Sequence, residues 1–254
     1  MPNFDSQIYE RDIYQDTVYS AWLKNTNERD VLEQVLNDHA DWWCKDNLSI
    51  LDVGCGPGSA ARRVFNILDK KGLKYTFTGV DPYQDQLKRF AEAFPERQDF
   101  EMIQSKIEDF TPSRKYDFVM LIHALYYVDS MEPMIKKLAD AADKMIIVHH
   151  GKLGINEVHQ QFRRYVKPGP HIISTWENVQ NVLDTLGIKY TLEVRDTEVN
   201  LFSCKDPKNK EGRKLIKFFL EHSELPENVI EEVSEWHKSR PDIMKQDVGF
   251  FLIG

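Results

Sequence analysis

An open α/β architecture, with a mostly parallel sheet flanked by helices, is predicted by three features of the chain. Strand-like runs alternate with helical stretches of about ten to fifteen residues between Ser49 and Gly151. A glycine-bearing loop, "LDVGCGPGS", directly follows the first of those runs. An acid, Asp81, closes the second run in "TGVDP". Strands that alternate with helices return to one parallel sheet through right-handed crossovers.

The elements follow in order. "DIYQDTVYSAWL" and "NERDVLEQVLNDHADWW" read as helices, with Leu32, Val35 and Leu36 at helical spacing. Ser49–Val53 is the first strand, and a helix from Ser59 to Leu68 follows the loop. "YTFTGVDP" is a strand and "YQDQLKRFAEAF" a helix. "DFEMIQSKIEDF" gives a third strand and turn, and "KYDFVMLIHALYYV" a fourth strand running into a loop. The helix "MEPMIKKLADAA" and the strand "KMIIVHHG" complete the core. Beyond Gly151 the rhythm loosens. Residues 152–170 read as a helix and the stiff loop "KPGPH", followed by the helix "STWENVQNVLDTLG" and the extended "IKYTLEVRDTEVNLF". Helices over Glu211–Ser223 and Glu227–His237 precede a last strand, "DVGFFLIG". With no flexible linker in view, residues 1–254 are expected to form a single domain. In it, N-terminal helices (1–45) and a cap region (152–240) pack over the ligand edge of a core (46–151).

Composition narrows the function. The chain has 254 residues, 41% of them hydrophobic, enough to bury a sizeable core. No run approaches the roughly 18 apolar residues of a membrane span, so a soluble, cytoplasmic protein without a membrane partner is expected. Cys44, Cys55 and Cys204 are scattered and odd in number, which suggests neither a disulfide framework nor a zinc site. A formal net charge of −8 argues against a nucleic-acid partner. His149 and His150 are adjacent on a predicted strand and so face opposite sides; no metal is expected.

In open α/β sheets, ligands bind beyond the carboxyl ends of the strands where the chain order reverses. The glycines run as Gly54, Gly56 and Gly58 with Asp52 ahead of them. A dinucleotide site uses a different spacing, and an acid aimed at a diphosphate would repel it. Asp52 instead suits a ligand carrying an ammonium group.

"ILDVGCGPGS" resembles the first motif of class I S-adenosylmethionine-dependent methyltransferases. The resemblance implies a Rossmann-like, mostly parallel sheet whose last strand is antiparallel, and S-adenosyl-L-methionine as cofactor. It implies that Asp52, Gly54, Gly56 and Gly58 approach the methionine moiety and that Asp81 accepts from the ribose hydroxyls. Gln86, Ser105, Ile107 and Ile122 are then placed along the remainder of the cofactor.

"MLIHALYYVDS", "KMIIVHHG", "LDTLGIKY" and "DVGFFLIG" together resemble the histamine N-methyltransferase family. This implies a monomer acting on a small imidazole or amine, with His123, Tyr126 and Tyr127 at the reacting centre. Asp16, Tyr19, Trp22, His159 and Gln246 are the further substrate-binding candidates it implies. Transfer to oxygen or sulfur of another small metabolite, or a non-catalytic cofactor-binding role, stays open, because the core fold does not fix the acceptor. An imidazole has a pKa near 6.5 and so offers a neutral nitrogen at physiological pH. Aromatic walls would stabilise the positive charge that develops on it.

Overall fold

The computed structural model describes residues 16–254, with side chains from residue 18 onward. Three helices come first: α1 (Asp16–Asn25), α2 (Glu28–Asp38) and the single turn α3 (Ala40–Trp43). The alternating core is β1 (Leu48–Val53), α4 (Ala61–Lys70), β2 (Tyr75–Asp81), α5 (Gln84–Ala93), β3 (Glu101–Gln104), β4 (Tyr116–Ile122), α6 (Met131–Asp140) and β5 (Ala142–His150). Then come α7 (Ile155–Gln161), α8 (Trp176–Thr185), β6 (Tyr190–Asn200), α9 (Lys210–Phe219), α10 (Glu227–Lys238) and β7 (Ile243–Ile253).

The seven strands lie in the order β3-β2-β1-β4-β5-β7-β6. β1 to β5 are mutually parallel, and β7 alone enters antiparallel, between β5 and β6. The expected mostly parallel sheet with an antiparallel last strand is therefore present. Strand order reverses between β1 and β4, which opens a crevice at their carboxyl ends.

Alternate strand residues feed two apolar layers. Ile50, Phe118, Met120, Ile146 and Val148 pack under α2, α4 and α5, whereas Leu51, Val119, Leu121 and Ile147 pack against α6 and α8. Burial on both faces explains the near-continuous apolar runs "LSILDV" and "YDFVMLI". On α4, Ala61, Val64, Phe65 and Leu68 form the buried stripe that holds it to the sheet. A third apolar cluster joins α1, α7, α9 and α10, with Trp22 stacked on Phe218 at 4.9 Å between ring centroids.

Several boundaries differ from the sequence reading. The helix expected within 152–170 is only the two turns of α7, started by Gly154 at φ +75°. β6 pairs with β7 along its whole length, so 190–200 is sheet edge rather than cover. β7 begins at Ile243, ahead of the expected "DVGFFLIG". α9 stops at Phe219, and Glu221 just beyond it adopts a left-handed backbone at φ +61°. No helix among the described residues is long and apolar enough to cross a membrane.

Candidate active site

The glycine loop leaves β1 and is sewn to the end of β2: the N–H groups of Gly54 and Cys55 both donate to the Val80 carbonyl, at 2.8 and 3.1 Å. Asp81 finishes the stitch, Oδ2 accepting the Gly56 N–H at 2.9 Å and Oδ1 the Tyr83 N–H at 3.0 Å. Gly54 has φ +77°, and a Cβ there would stand 2.7 Å from Ala124 Cβ, so the β1 and β4 loops touch because the residue is glycine. Gly56, at φ +51°, is different: a Cβ would meet no protein atom within 4 Å. Its bare face borders a cavity of about 410 Å³ at the switch point of the sheet.

Asp52 lies at one end of this cavity, 1% exposed, with Oδ2 lacking a hydrogen-bond partner among the described residues. Burial, reinforced by the neighbouring Asp81, pushes its carboxyl up to about 7. Asp81 is itself pushed up to about 6 by burial, although the N–H groups of Tyr83 and Gly56 pull it back. Two buried acids beside a vacant glycine surface fit a ligand with a cationic group and hydroxyl donors; an anionic diphosphate would worsen both environments. Gln86, Ser105, Ile107 and Ile122 line the same cavity.

At its other end stands a polar cluster. His123 follows β4 in a left-handed conformation, φ +53°, which turns its ring into the cavity. Glu28, from the first turn of α2, is 1% exposed beneath it. The Nε2–H of His150 donates to Glu28 Oε2 at 2.7 Å, and Arg29 Nη1 donates to Oε1 at 2.7 Å. His123 Nε2 lies 2.9 Å from the same Oε1 but out of line for a hydrogen bond. The Tyr126 hydroxyl accepts the His150 backbone N–H at 2.8 Å, which leaves its proton for Nδ1 of His123 at 3.5 Å. Although burial pushes Glu28 up, the imidazoles of His123 and His150 outweigh it and hold the carboxyl well below its ordinary range. Burial takes His123 down to about 4, offset only in part by Glu28, so its ring is neutral at physiological pH. Burial likewise keeps the Tyr126 and Tyr127 hydroxyls protonated.

The ligating atoms of Glu28, His123 and His150 all lie within 4.8 Å of one another, a spacing a metal ion uses. The Arg29 guanidinium already occupies one oxygen of that carboxylate, and a fixed cation there competes with a metal. Arg29 also donates from Nε to Ser59 Oγ at 3.3 Å and from Nη2 to the Tyr19 hydroxyl at 3.4 Å. The cluster is thereby tied to the start of the glycine-loop helix.

Most expected site residues converge here. Tyr19, Trp22, His123, Tyr126, Tyr127 and His159 all line the cavity. His159 donates from Nε2 to the Phe219 carbonyl at 2.7 Å. Three expectations are corrected or left aside. Gln246 does not line the cavity: it is fully buried under β7, where Oε1 accepts the Ile155 N–H and Nε2 donates to Thr197 Oγ1. Gly58 is also off the cavity wall, packed against Phe90 and Phe94, where it shapes the turn into α4. Asp16 begins α1, but its side chain lies outside the described residues. Among the charged residues of this cavity, Glu28, Arg29 and Glu221 went unread in the sequence, and His150 was read only against a metal.

Known proteins agree with this architecture. A family model described as "Methyltransferase domain" matches residues 25–208. Histamine N-methyltransferase of Cavia porcellus is 23% identical over 197 residues, covering 70% of this chain and 67% of that protein. Coclaurine N-methyltransferase, solved with N-methylheliamine and S-adenosylhomocysteine (SAH), superposes with a TM-score of 0.58 at 13% identity, over 89% of this chain and 72% of the other. Magnesium protoporphyrin IX methyltransferase from Synechocystis PCC 6803 gives a TM-score of 0.54 at 14% identity, over 99% of this chain and 94% of that one. With a family match across most of its length, a mostly parallel seven-stranded sheet, and a glycine loop flanked by Asp52 and Asp81, this chain belongs to the class I S-adenosylmethionine-dependent methyltransferases.

Proposed function

We propose that this methyltransferase alkylates a nitrogen of a small imidazole- or amine-containing metabolite. The observation that supports it most is the neutral His123 ring, held between Tyr126 and Glu28 on an aromatic-walled cavity next to the glycine loop. Bound S-adenosylmethionine supplies a methyl group on a sulfonium, a leaving group that needs no acid. What remains for the chain is to hold an unprotonated lone pair roughly 3–3.5 Å from that carbon and in line with it.

In this reading Asp81 accepts from the ribose hydroxyls, Asp52 faces the methionine ammonium, and Gly54 and Gly56 let the backbone approach. Gln86, Ser105 and Ile107 border the adenine and ribose, and Ile122 lies beneath the sulfonium. Residues 46–151 thus carry the cofactor, while 1–45 and 152–240 supply the acceptor walls.

In this reading His123 is an orienting wall of the site. A ring charged at neutral pH would repel the donor's positive sulfur; burial keeps this one uncharged. The uncharged ring can then pack against the acceptor and turn its nitrogen toward the methyl group. Tyr126 sets the ring's tautomer, and Glu28 with Arg29 fixes its place. The faces of Trp22, Tyr19 and Tyr127 stabilise the cation that forms. The similarity to histamine N-methyltransferase points to the same acceptor class.

A labelled-methyl assay over imidazoles, biogenic amines and phenols tests the reading. Label is expected on nitrogen; labelling confined to phenols would refute it.

A further inference from the structure

The acceptor end of the cavity holds two buried carboxylates, and they are not equivalent. Glu28 is committed: Arg29 and His150 donate to its two oxygens, and His123 lies beside them. Glu221 is not. It lines the same cavity, 4% exposed, and its Oε2 has no hydrogen-bond partner among the described residues. A buried carboxylate oxygen without a donor is costly, and native folds keep few of them.

Its backbone adds a second cost. Glu221 follows the end of α9 at φ +61°, a position where glycine or asparagine is the inexpensive choice. Strain of this kind persists where the surrounding fold enforces it, and it clusters at ligand sites. The groups around the carboxylate are the hydroxyls of Tyr126 and Tyr127, which its charge reaches, and the Lys167 ammonium. Lys167 offsets burial only partly, and the carboxyl is pushed up to about 8.

We propose that Glu221 is the subsite for a cationic tail of the acceptor, a protonated amine or guanidinium separate from the nitrogen that is methylated. The inference rests on the nitrogen-methylation reading and narrows its substrate to a ring or amine nitrogen bearing such a tail. The tail lies against Oε2, past the two tyrosines, while the reacting nitrogen stays at His123. Binding the cation favours the ionised carboxylate, so the proton that Glu221 carries near neutral pH passes to solvent.

The test is calorimetric titration of the SAH-loaded protein with histamine, which carries an ammonium tail, and with imidazole, which does not. Wild-type protein is expected to prefer histamine and to release protons on binding it. Glu221→Gln should weaken histamine binding by about tenfold or more, as expected on losing a charge-assisted contact, and change imidazole binding by less than about twofold. Glu221→Asn, which tolerates the left-handed backbone, should repeat the result if Gln disturbs the fold. Equal loss for both probes, no loss for histamine, or a wild-type protein that binds neither or does not prefer histamine overturns the proposal. Failure of the nitrogen reading shows separately, as absence of N-methylated product while the histamine preference in binding persists.

Discussion

The imidazole of His150 and the carboxylate of Glu28, 122 positions apart in the chain, meet across 2.7 Å. The contact fastens the end of β5 to the first turn of α2, and Arg29 extends it to Ser59 at the start of the glycine-loop helix. One carboxylate therefore holds the histidine wall of the cavity and the glycine loop in a common frame. Glu28→Ala removes the carboxylate shared by the partly buried Arg29 guanidinium and the His150 imidazole. It is expected to cost about 3–5 kcal/mol, read from urea unfolding; a loss below about 1 kcal/mol, the worth of a surface pair, would show that the cluster is solvated instead.

Asp81, which organises the loop through the Gly56 and Tyr83 N–H groups, is the residue proposed to accept from the cofactor's ribose hydroxyls. Asp81→Asn should lower S-adenosylmethionine affinity by about 1.5–3 kcal/mol, roughly ten- to a hundredfold, in calorimetric titration. An affinity within about twofold of wild type would contradict the ribose assignment.

Gly56 separates fold from ligand. Alanine there meets no protein atom, so its cost to stability is confined to the left-handed backbone, about 1–2 kcal/mol. The new methyl group would enter the space proposed for the cofactor, so cofactor affinity should fall by more than stability does. Equal losses in denaturant midpoint and in titration would mean that the methyl group points away from the ligand.

His123→Asn keeps a residue type that tolerates φ +53° but removes the imidazole ring. The thermal midpoint should hold, while kcat/KM for the preferred nitrogen acceptor drops by about tenfold or more through lost orientation. An unchanged acceptor profile would assign His123 to the wall alone.

The ligand-free chain should lose stability as pH rises from about 6.5 to 8. Asp52, at about 7, and Glu221, at about 8, hold protons in the folded state that the unfolded chain has already released. Folding therefore becomes less favourable as pH climbs through those values. Buried His123, His159 and His237, each near 4, act in the opposite direction, but their contribution is complete by about pH 6.5, where unfolded histidine titrates. Thermal midpoints across this window, with and without SAH, check it: the slope should flatten once a cationic ligand faces Asp52. A midpoint that rises with pH would contradict it.

How much of this was written in the chain depends on the range of the interactions involved. The β1 loop and Asp81 are local: glycines that need left-handed backbone and an acid at a strand end are legible wherever they occur. The two apolar layers were equally readable, because strands buried on both faces cannot hide their composition. Glu28 was missed because it sits in the polar run "NTNERD", and its burial is created by β4 and β5 arriving far later in the chain. One signal was present, since Glu28 falls on the same helical face as Leu32 and Val35, where an acid has no reason to be unless it is paired. Gln246 failed for the converse reason. Its place in the last strand was judged by resemblance, but a β7 that starts earlier and pairs fully with β6 draws its amide under the sheet. Glu221 was unreadable because a helix end that breaks at φ +61° has no glycine to announce it.

The adjacent histidines at the end of β5 face opposite sides, His149 Nε2 to Ser174 Oγ at 2.8 Å and His150 to Glu28. Sliding the strand by one position would exchange an imidazole for an imidazole, so the polar chemistry of the two rings carries almost no information about alignment. Alignment must come from elsewhere: His149 pairs with Gly249 on β7, where a Cβ would stand 2.5 Å from Trp176 Cβ. The histidine that meets the acceptor cavity is thus selected by a neighbouring strand that never reaches it, and chemical identity at the site is inherited from the alignment of the sheet.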